Sequence, residues 1–371
     1  MIDICHITTV HGPFDDRIFF KQCASLAAEG WKVALIAPAE EKVIEAGVTI
    51  IPLHAPGQRL LRATIGAWRA YRAARRTQAR VFQIHDPELL AIALLLKRRD
   101  NRVVYDMHES VRDHLLTKTW LGPRWVRRSF ALVYGWFEIL AVRKLDAVLL
   151  AVDTMKEDMV QRHPGEVAKF HVIRNLPVLR IIDEVQERIP LPSTPTLIYA
   201  GGISAGRGIK ELIMALHLMG EVRLKLLGTW ADQDLHRECQ ALPGWSKVDD
   251  AGQVRMDRVY DHLRAAHIGI CILHPLPNHM LSRPIKAYEY MACRLPMIMS
   301  DFPIWRNEFS ACASFADPMD PAAITAAVER MLSDRSAATS MGNAGRAVVE
   351  GEWCWEREAT RLVDLYRQLL A

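Results

Sequence analysis

Short apolar runs alternate with longer amphipathic segments along the first half of the chain. The apolar runs predict buried β-strands at residues 2–8, 31–37, 81–85, 103–106 and 147–152. Segments with apolar positions three and four residues apart predict helices at residues 17–29, 60–78, 87–96, 124–144 and 154–162. Because strands joined by crossover helices form parallel sheets covered on both faces, this half is predicted to be a doubly wound α/β domain.

The same pattern returns in the second half. Strands are predicted at residues 196–200, 223–227, 268–273 and 297–300, and helices at 209–218, 258–265, 284–292, 321–333, 338–350 and 355–370. Pro190, Pro192 and Pro195 indicate a linker over residues 188–194. The pattern therefore predicts two doubly wound domains with a cleft between them, and such sheets bind ligands beyond the carboxyl ends of their strands.

The composition is that of a globular protein. Half of the 371 residues are hydrophobic and 24% are charged, which excludes a disordered chain, a collagen-like repeat and a small disulfide scaffold. The seven cysteines include no CxxC pair, so we expect reduced thiols in a cytoplasmic protein. No signal peptide is recognised, and no apolar run reaches the roughly 18 residues of a membrane-spanning helix.

Charge is distributed unevenly along the chain. Residues 1–180 hold 27 lysines and arginines against 19 acidic residues, a net charge of +8, whereas the remainder has a net charge of −4. This asymmetry predicts an anionic partner for the first half. Nucleic acid is not expected, because the charge is modest and we find neither zinc ligands nor a recognition motif.

One segment concentrates the basic residues without any acidic residue: Arg59, Arg62, Arg69, Arg72, Arg75, Arg76 and Arg80. Leu61, Ile65 and Trp68 recur at helical spacing within it, so Arg59 to Arg80 is predicted to lie on an anionic membrane surface. Arg124-Trp-Val-Arg-Arg, with Trp120 and Trp136, forms a second basic and aromatic patch. The alternative is a solvated helix whose apolar side packs on the sheet.

A glycine-rich turn follows the strand predicted at residues 196–200. It contains Gly201, Gly202, Gly206 and Gly208 together with Arg207. Glycine lets backbone N–H groups approach an anion, a helix N-terminus favours negative charge, and arginine offers several donors to a phosphate. The turn is therefore a candidate phosphate site, and a flexible turn with a solvated arginine is the alternative.

A second candidate lies at the start of the helix predicted at residues 284–292. Ser282 is a candidate N-cap, and Pro284 suits the first turn. Lys286 and Glu289 share a helix face, so the lysine is a candidate for a phosphate and the glutamate for a ribose diol. An exposed ion pair is the alternative, but two phosphate-type turns in one domain favour a nucleotide site.

These stretches resemble the retaining glycosyltransferases of family 4, which have the GT-B fold. Residues 199–208 resemble the family's strand–glycine–loop–Lys–Gly segment, with Arg207 where lysine is commoner, and Glu289-Tyr-Met-Ala, followed by Pro296 and Ser300, resembles its donor helix. Val172-Ile-Arg-Asn resembles the strand before the family's linker. Three stretches of the first half resemble a polysaccharide-building branch of this family: His11-Gly-Pro-Phe-Asp-Asp-Arg-Ile, His85-Asp-Pro-Glu-Leu-Leu and Tyr105-Asp-Met-His-Glu.

The resemblance implies a hexosyltransferase that moves a sugar from a nucleoside diphosphate sugar to a hydroxyl, with retention of configuration and without a metal or cofactor. It implies that Arg207 and Lys286 bind the donor diphosphate, where cations stabilise the leaving group, and that His108 faces the transferred sugar. These three residues are the expected catalytic set. The expected donor-binding set is Gly12, Gly201, Gly202, Arg207, Gly228, Val254, Ser282, Pro284, Ile285, Lys286 and Glu289.

Sugar or acceptor contacts are expected from the first half, at His11, His85, Asp86 and Glu109. His85 and Asp86 follow a strand, where a cleft-lining loop is expected, although a lone histidine is more often structural. In the first strand-to-helix turn, Gly12 is the stronger functional candidate, because a position without a side chain allows close approach. His11 with Asp15 and Asp16 could instead cap the helix.

The resemblance divides the chain into an acceptor-side domain (residues 1–187), a nucleotide-sugar-binding domain (188–354) and a C-terminal helix (355–371) that packs back on the first domain. The acceptor is expected to be a glycan or a polyprenyl-diphosphate-linked glycan in surface polysaccharide synthesis. The protein is accordingly expected on the inner face of the plasma membrane.

Two positions depart from the family pattern. The family often has a glutamate eight residues before Glu289, where this chain has Leu281, with Asn278 and His279 nearby. Gly202 replaces a common arginine, which leaves Arg207 a larger share of the diphosphate. A nucleotide-sugar epimerase of the same fold and a donor-binding pseudoenzyme are the alternatives. A dehydrogenase is disfavoured, because no GxGxxG with a later acidic residue follows the first strand.

Overall fold

The computed structural model of the protein describes residues 2–108, 111–117, 122–184 and 190–371. The chain divides into two compact units. The first unit comprises Met1–Asn175 and Glu358–Ala371, and the second comprises Leu176–Arg357. Each unit has its own buried apolar core and its own sheet.

Strands along the described residues are β1 Ile4–Ile7, β2 Val33–Ala37, β3 Val43–Glu45, β4 Val48–Pro52, β5 Val81–Ile84, β6 Arg102–Met107, β7 Ala147–Leu150, β8 Phe170–Val172, β9 Thr196–Ala200, β10 Arg223–Leu227, β11 Val248–Asp250, β12 Ile268–Cys271, β13 Met297–Ser300 and β14 Ala313–Ala316. Six of these strands, β1, β2, β5, β7, β12 and β13, are buried along their whole length, which is why they read as continuous apolar runs.

Helices along the described residues are α1 Ala24–Ala28, α2 Arg59–Leu61, α3 Ala67–Thr77, α4 Leu90–Leu96, α5 Val111–Thr117, α6 Arg124–Lys144, α7 Asp153–Arg162, α8 Leu179–Asp183, α9 Ile209–Leu218, α10 Gln233–Gln240, α11 Met256–Arg264, α12 Pro277–Met280, α13 Ile285–Ala292, α14 Pro303–Phe309, α15 Pro321–Ser333, α16 Arg335–Gly351 and α17 Trp355–Leu370. The segments Asp16–Cys23 and Arg62–Gly66 are π-helical, and Ala205–Arg207 is a 3₁₀ turn.

The sheet of the first unit has the strand order β3-β4-β2-β1-β5-β6-β7-β8. All its pairs are parallel except β3 with β4. Ile7 of β1 lies opposite Ile84 of β5, and Ile84 lies opposite Tyr105 of β6. The turns after these three strands therefore leave the sheet side by side at one edge.

The sheet of the second unit has the order β11-β10-β9-β12-β13-β14 and is parallel throughout. β9 is the first strand of this unit along the chain, and its neighbours are β10 and β12. The strand order reverses at this point, which is where parallel sheets of this kind open a crevice for ligands. The glycine-rich turn leaves the sheet there.

The predicted strands and helices are present, with small shifts at their ends. The elements that were not predicted are mostly short or polar: the β3–β4 hairpin, β11, β14, α5, α8, α10, α12 and α14. β8 ends at Val172, where the stretch that resembles the strand before the family's linker begins. The helix predicted over residues 17–29 is π-helical in its first part, and Asp15 caps it by accepting hydrogen bonds from the N–H groups of Arg17 and Ile18, both at 2.9 Å.

The first unit ends at Asn175, before the boundary predicted at residue 187, because Leu176 and Ile182 pack into the core of the second unit. Residues 185–189, at the predicted boundary, lie outside the described residues. The last part of α17 belongs to the first unit. There Tyr366 is fully buried and its hydroxyl donates to Gln83, while the Arg174 guanidinium donates to Glu358 at 3.0 Å.

Gly208 holds the turn after β9 in a shape that other residues cannot adopt. Its φ is +65°, and a Cβ there would lie 2.5 Å from the Ile272 carbonyl oxygen. We expect Gly208→Ala to lower the free energy of unfolding by about 2–3 kcal/mol, measured by urea denaturation. Gly220→Ala is the matched control, because a Cβ at Gly220 meets nothing within 4 Å. Equal effects of the two substitutions would contradict this account.

Candidate functional site

A pocket of about 420 Å³ opens at the carboxyl end of β9 in the second unit. The glycine-rich turn lines one side of it with Gly201, Gly202 and Arg207, and the start of α13 lines the other. The remaining lining residues are Ala200, Leu273, Asn278, His279, Ser282, Arg283, Pro284, Ile285, Lys286 and Glu289. The two phosphate-type stretches of the sequence therefore meet in one pocket.

Backbone packing shapes the wall around Gly201. Its N–H donates to the Leu227 carbonyl at 2.8 Å, and the N–H of Gly228 donates to the Gly252 carbonyl at 2.7 Å. A Cβ on Gly228 would lie 2.0 Å from the Gly201 carbonyl oxygen, so only glycine fits there. Gly202 has no atom near its missing side chain. Gly228 and Val254 do not line the pocket; Gly228 supports its wall, and Val254 packs against the core of the second unit.

The ammonium group of Lys286 is buried in this pocket without a hydrogen-bonding partner among the described residues. Its Nζ lies 3.5 Å from the centre of the Tyr199 ring, a cation–π contact that replaces little of the lost hydration. Burial, reinforced by the positive charge of Arg207, lowers the pKa of Lys286 to about 7, although Cys271 and Glu289 oppose the shift. An anion bound beside Nζ would restore the charged form.

Arg207 ends the short 3₁₀ turn and is half-buried. Its guanidinium has no hydrogen bond or ion pair with any other described residue, and its charge acts on Lys286, Tyr199 and His279. The pocket thus holds two cationic side chains whose donors are available, together with the half-buried Glu289. Such an arrangement is suited to an oligoanion such as a diphosphate.

The capping prediction for Ser282 is wrong. α13 begins at Ile285 after Pro284, and the Ser282 hydroxyl donates backwards to the His279 carbonyl at 2.9 Å. Pro284 is itself the residue before the helix, in an extended conformation, so Ser282 lies two residues too early to take the N-cap position. Ser282, Pro284 and Ile285 nonetheless line the pocket as predicted. Leu281 is 73% exposed and lies outside the lining.

Sequence reasoning overlooked Tyr199, a fully buried residue behind the pocket wall that contacts Lys286. Tyr199 reads as an ordinary core residue of β9, and only the tertiary fold brings its ring beneath the Lys286 ammonium. The sequence analysis noted His279 only as a neighbour of Leu281. In the structure it lines the pocket, and its Nδ1 donates to the His274 carbonyl at 3.1 Å.

A second polar cluster lies in the first unit, beyond the adjacent ends of β1, β5 and β6. It contains His11, His85, Asp86 and His108 of the predicted set. The ring centres of His11 and His108 are 5.2 Å apart, and those of His85 and His108 are 5.7 Å apart. Glu109, the remaining predicted residue here, lies outside the described residues.

Asp106 is the centre of this cluster, and sequence reasoning gave it no role. Its carboxylate is fully buried and accepts from the Arg17 guanidinium at 2.9 and 2.7 Å. It also accepts from Gln22 at 2.7 Å, from His108 Nε2 at 3.1 Å and from His85 Nδ1 at 3.2 Å. Burial opposes ionisation, but Arg17 and His108 outweigh it and hold the pKa of Asp106 well below its usual range.

The two histidines behind Asp106 are neutral. Burial lowers the pKa of His85 and, more strongly, that of His6. Since His85 Nδ1 donates to Asp106, its Nε2 accepts from His6 Nδ1 at 3.0 Å. His85 is therefore a buried, hydrogen-bonded residue that supports His108. This arrangement favours a structural role for His85 over direct contact with a sugar.

His11 lies between two carboxylates. Its Nδ1 is 2.9 Å from Asp15, and its Nε2 is 3.6 Å from Asp86. Burial opposes the charged form, but Asp15 and then Asp86 outweigh it and raise the pKa of His11. Asp86 is itself buried and accepts from Thr8 Oγ1 at 2.9 Å and from the Thr9 N–H at 2.6 Å. Open space surrounds the Cα of Gly12, so packing does not require glycine at this position.

The ligand-type atoms of His85, Asp106 and His108 lie within 4.8 Å of one another, which raises the question of a metal ion. Both Asp106 oxygens already accept from the positively charged guanidinium of Arg17, and His85 and His108 both point N–H groups at the carboxylate. The cluster is therefore saturated as a hydrogen-bond network, and its donor set does not fit a cation.

Comparison with known proteins gives two family matches that follow one another along the chain. Residues 17–175 match the glycosyl transferase 4-like domain, and residues 182–348 match the glycosyl transferases group 1. A curated relative is the alpha-maltose-1-phosphate synthase of Mycobacterium tuberculosis. It is 24% identical over 300 residues, which cover 72% of this chain and 75% of the relative.

Solved structures share the fold over essentially the whole chain. Sucrose-phosphate synthase from Thermosynechococcus elongatus superposes with a TM-score of 0.72 at 19% identity, covering 100% of this chain and 99% of that one. Anabaena HepE in complex with UDP-glucose superposes with a TM-score of 0.67 at 12% identity, covering 99% and 100%. The GT-B class and the enzyme class predicted from the sequence are confirmed, and the chain belongs to the group 1 glycosyltransferases, with a 4-like domain before the group 1 domain.

Proposed function

We propose that this glycosyltransferase moves a sugar from a nucleoside diphosphate sugar to a hydroxyl of a glycan or lipid-linked glycan. The observation that carries the proposal is the buried Lys286 ammonium, which has no anionic partner within hydrogen-bonding distance. A buried cation without a partner is costly, and a bound diphosphate would supply the missing negative charge. HepE, which shares the fold, is described in complex with UDP-glucose, and this supports the same donor class.

The second unit supplies the donor site in this proposal. Lys286 and Arg207 bind the diphosphate from two sides, and the backbone at Gly201 and Gly202 lies against it because no side chain intervenes. When the glycosidic bond breaks, negative charge grows on the departing diphosphate, and the two cations stabilise that charge without a metal ion. Glu289 is placed one turn along α13, where it binds the ribose diol.

The first unit supplies the sugar and acceptor contacts. His108 donates its Nε2–H to Asp106, so in the neutral ring Nδ1 is left as an acceptor for a sugar hydroxyl. His11 is held between Asp15 and Asp86 and offers a polar, positively biased contact near the same edge of the sheet. Retention of configuration is proposed on the family resemblance of the sequence.

A lipid-linked acceptor requires a surface that meets the membrane, and exposed aromatic and basic residues support such a surface on the first unit. α3 buries Ala67, Ala70 and Ala74, whereas Trp68 and Ile65 beside it are exposed. The outward face of α6 carries Trp125 and Trp136, which are 71% and 72% exposed, among further exposed apolar residues: Leu132, Val133 and Leu140. α4 packs against both helices, so these faces belong to one side of the unit.

The charges on this side are basic. Arg69, Arg72 and Arg76 of α3 are exposed, while Glu138 of α6 is buried and bound by Arg162. Tryptophans and arginines on exposed helix faces are typical of proteins that lie on anionic lipid. None of the helices among the described residues is long and apolar enough to span a bilayer. We therefore propose peripheral membrane association in surface polysaccharide synthesis.

Removing the charge of Lys286 tests the donor site. We expect Lys286→Met to weaken binding of the preferred nucleoside diphosphate sugar at least about tenfold and to lower turnover at least as much, because a charge-assisted contact is lost. Thermal stability should be unchanged or higher, since a buried cation without a partner is removed. Lys210→Met, at a lysine paired with Glu238 on the surface of the same unit, is the control. Full activity of Lys286→Met would contradict the proposal.

Diphosphate binding should take up a proton. In the free protein the pKa of Lys286 is about 7, so the amine is mostly neutral at pH 8, and an adjacent diphosphate should return it to the charged form. We expect uptake of nearly one proton at pH 8, measured by calorimetric titration with the preferred nucleoside diphosphate in buffers of different ionisation enthalpy. Lys286→Met should show none, and equal uptake by both proteins would rule out this source.

The same residue predicts how the stability of the free protein depends on pH. The unfolded chain holds the Lys286 proton up to about pH 10.4, whereas the folded protein releases it near pH 7. Between these values the unfolded state binds more protons, so this residue makes the free energy of unfolding rise with pH. Urea denaturation across this range should show a shallower rise in Lys286→Met.

Reversing three exposed charges tests the membrane surface. We expect Arg69→Glu, Arg72→Glu and Arg76→Glu together to weaken binding to phosphatidylcholine–phosphatidylglycerol vesicles at least about 100-fold, since each basic residue contributes about 1 kcal/mol. Co-sedimentation measures the effect, and the same reversal at Arg223, Arg330 and Arg335 of the second unit is the charge-matched control. Equal loss in both variants would show that only net charge matters, which would contradict a defined surface.

A further inference from the structure

His279 lines the donor pocket beside the two cations, in a position to which the sequence pattern assigns no role. It belongs to α12, and the Gly206 backbone lies directly against its ring. A Cβ on Gly206 would lie 3.0 Å from Cε1 of His279, tighter than ordinary contact. The glycine-rich turn thus leaves room for the imidazole as well as for a ligand.

The hydrogen bond at Nδ1 determines what the rest of the ring can do. Nδ1 is 3.1 Å from the His274 carbonyl oxygen, and a carbonyl oxygen can only accept. Nδ1 is therefore the protonated nitrogen. In the neutral ring Nε2 carries a lone pair, and it has no partner among the described residues.

The surroundings of His279 keep the ring neutral. Burial, together with the positive charges of Arg207 and Lys286, lowers its pKa, although the bond to His274 opposes the shift. The imidazole of His274 is engaged elsewhere, with its Nε2 3.0 Å from Glu211. A fixed neutral acceptor thus lies in a pocket whose two cations act only as donors.

We propose that Nε2 of His279 accepts a hydrogen bond from a hydroxyl of the transferred sugar. The phosphate oxygens of a sugar nucleotide only accept hydrogen bonds, so the matching group must carry a donor hydrogen, and the hydroxyls of the transferred sugar supply one. Glu289 is the one carboxylate among the described lining residues, and His279 adds an uncharged acceptor to the pocket. This inference rests on the proposed function, because it assumes a nucleoside diphosphate sugar in the pocket.

Two substitutions separate the two nitrogens of the ring. The amide nitrogen of asparagine can take the place of Nδ1 and keep the bond to His274, but it leaves nothing at Nε2. The amide of glutamine reaches the Nε2 position and can present its oxygen there. A structural role for His279 would therefore tolerate His279→Asn better, whereas a sugar contact tolerates His279→Gln better.

The experiment compares affinities for a donor and for its free diphosphate. Among UDP-, GDP-, ADP- and dTDP-glucose, the one that binds the wild-type protein most tightly is titrated alongside the matching nucleoside diphosphate. We expect His279→Asn to weaken the sugar nucleotide about tenfold, equal to one hydrogen bond, and to leave the free diphosphate unchanged. We expect His279→Gln to retain most of the wild-type preference, and thermal unfolding of both variants verifies the fold.

The remaining outcomes distinguish this inference from the proposed function. The sugar contact would be overturned if His279→Asn weakened the binding of both ligands equally. It would also be overturned if His279→Gln weakened binding of the sugar nucleotide as much as His279→Asn does. Neither result would contradict the donor site itself. Lys286→Met, which should weaken both ligands, serves as the reference for a diphosphate contact. Failure of the wild-type protein to bind any of the four donors would overturn the proposed function itself.

Discussion

The buried ammonium of Lys286 is the constraint around which the second unit is organised. It lies on the Tyr199 ring at 3.5 Å, beside a glycine-rich wall, with Arg207 raising the local positive potential further. None of these neighbours offers it an acceptor within hydrogen-bonding distance. A fold that keeps such a group away from water retains an electrostatic cost in the free state, and an anionic ligand removes that cost on binding. The proposal of an anionic ligand rests on this unmet requirement.

In the first unit, by contrast, the buried charge has hydrogen-bonding partners within the protein. Asp106 is as deeply buried as Lys286, yet Arg17, Gln22, His85 and His108 satisfy its carboxylate within the protein. A satisfied network of this kind has little to gain from an ionic ligand, and it fixes the orientation of its members instead. The two units thus differ in their buried charge: Lys286 of the second has no hydrogen-bonding partner among the described residues, whereas Asp106 of the first is fully paired.

Much of the fold and of the candidate site could be predicted from the sequence. Parallel strands that are buried on both faces appear as apolar runs, and glycines mark positions where the backbone turns tightly or where another group lies close to it. The helix at 209–218 and the strands at 196–200 and 223–227 have the predicted bounds. β11 escaped prediction because Val248-Asp-Asp is mostly polar, and the β3–β4 hairpin because its strands are short and partly exposed. Lys286 and Arg207 stood out by residue type and position. Tyr199 and Asp106 did not, because their roles depend on contacts between strands and helices distant in sequence.

The departures from the family pattern have a common physical consequence. Gly202 leaves the wall of the pocket without a side chain, and Leu281 is exposed and lies outside the lining, so neither position places a charge in the pocket. No atom of the described residues, other than its chain neighbours, lies within 4 Å of the place that a Cβ on Gly202 would take, so the wall is open there. In the proposed donor site, the missing arginine gives Arg207 a larger share in binding the diphosphate. The proposed sugar contact is a neutral hydrogen bond, and such a bond discriminates by the geometry of a hydroxyl rather than by charge.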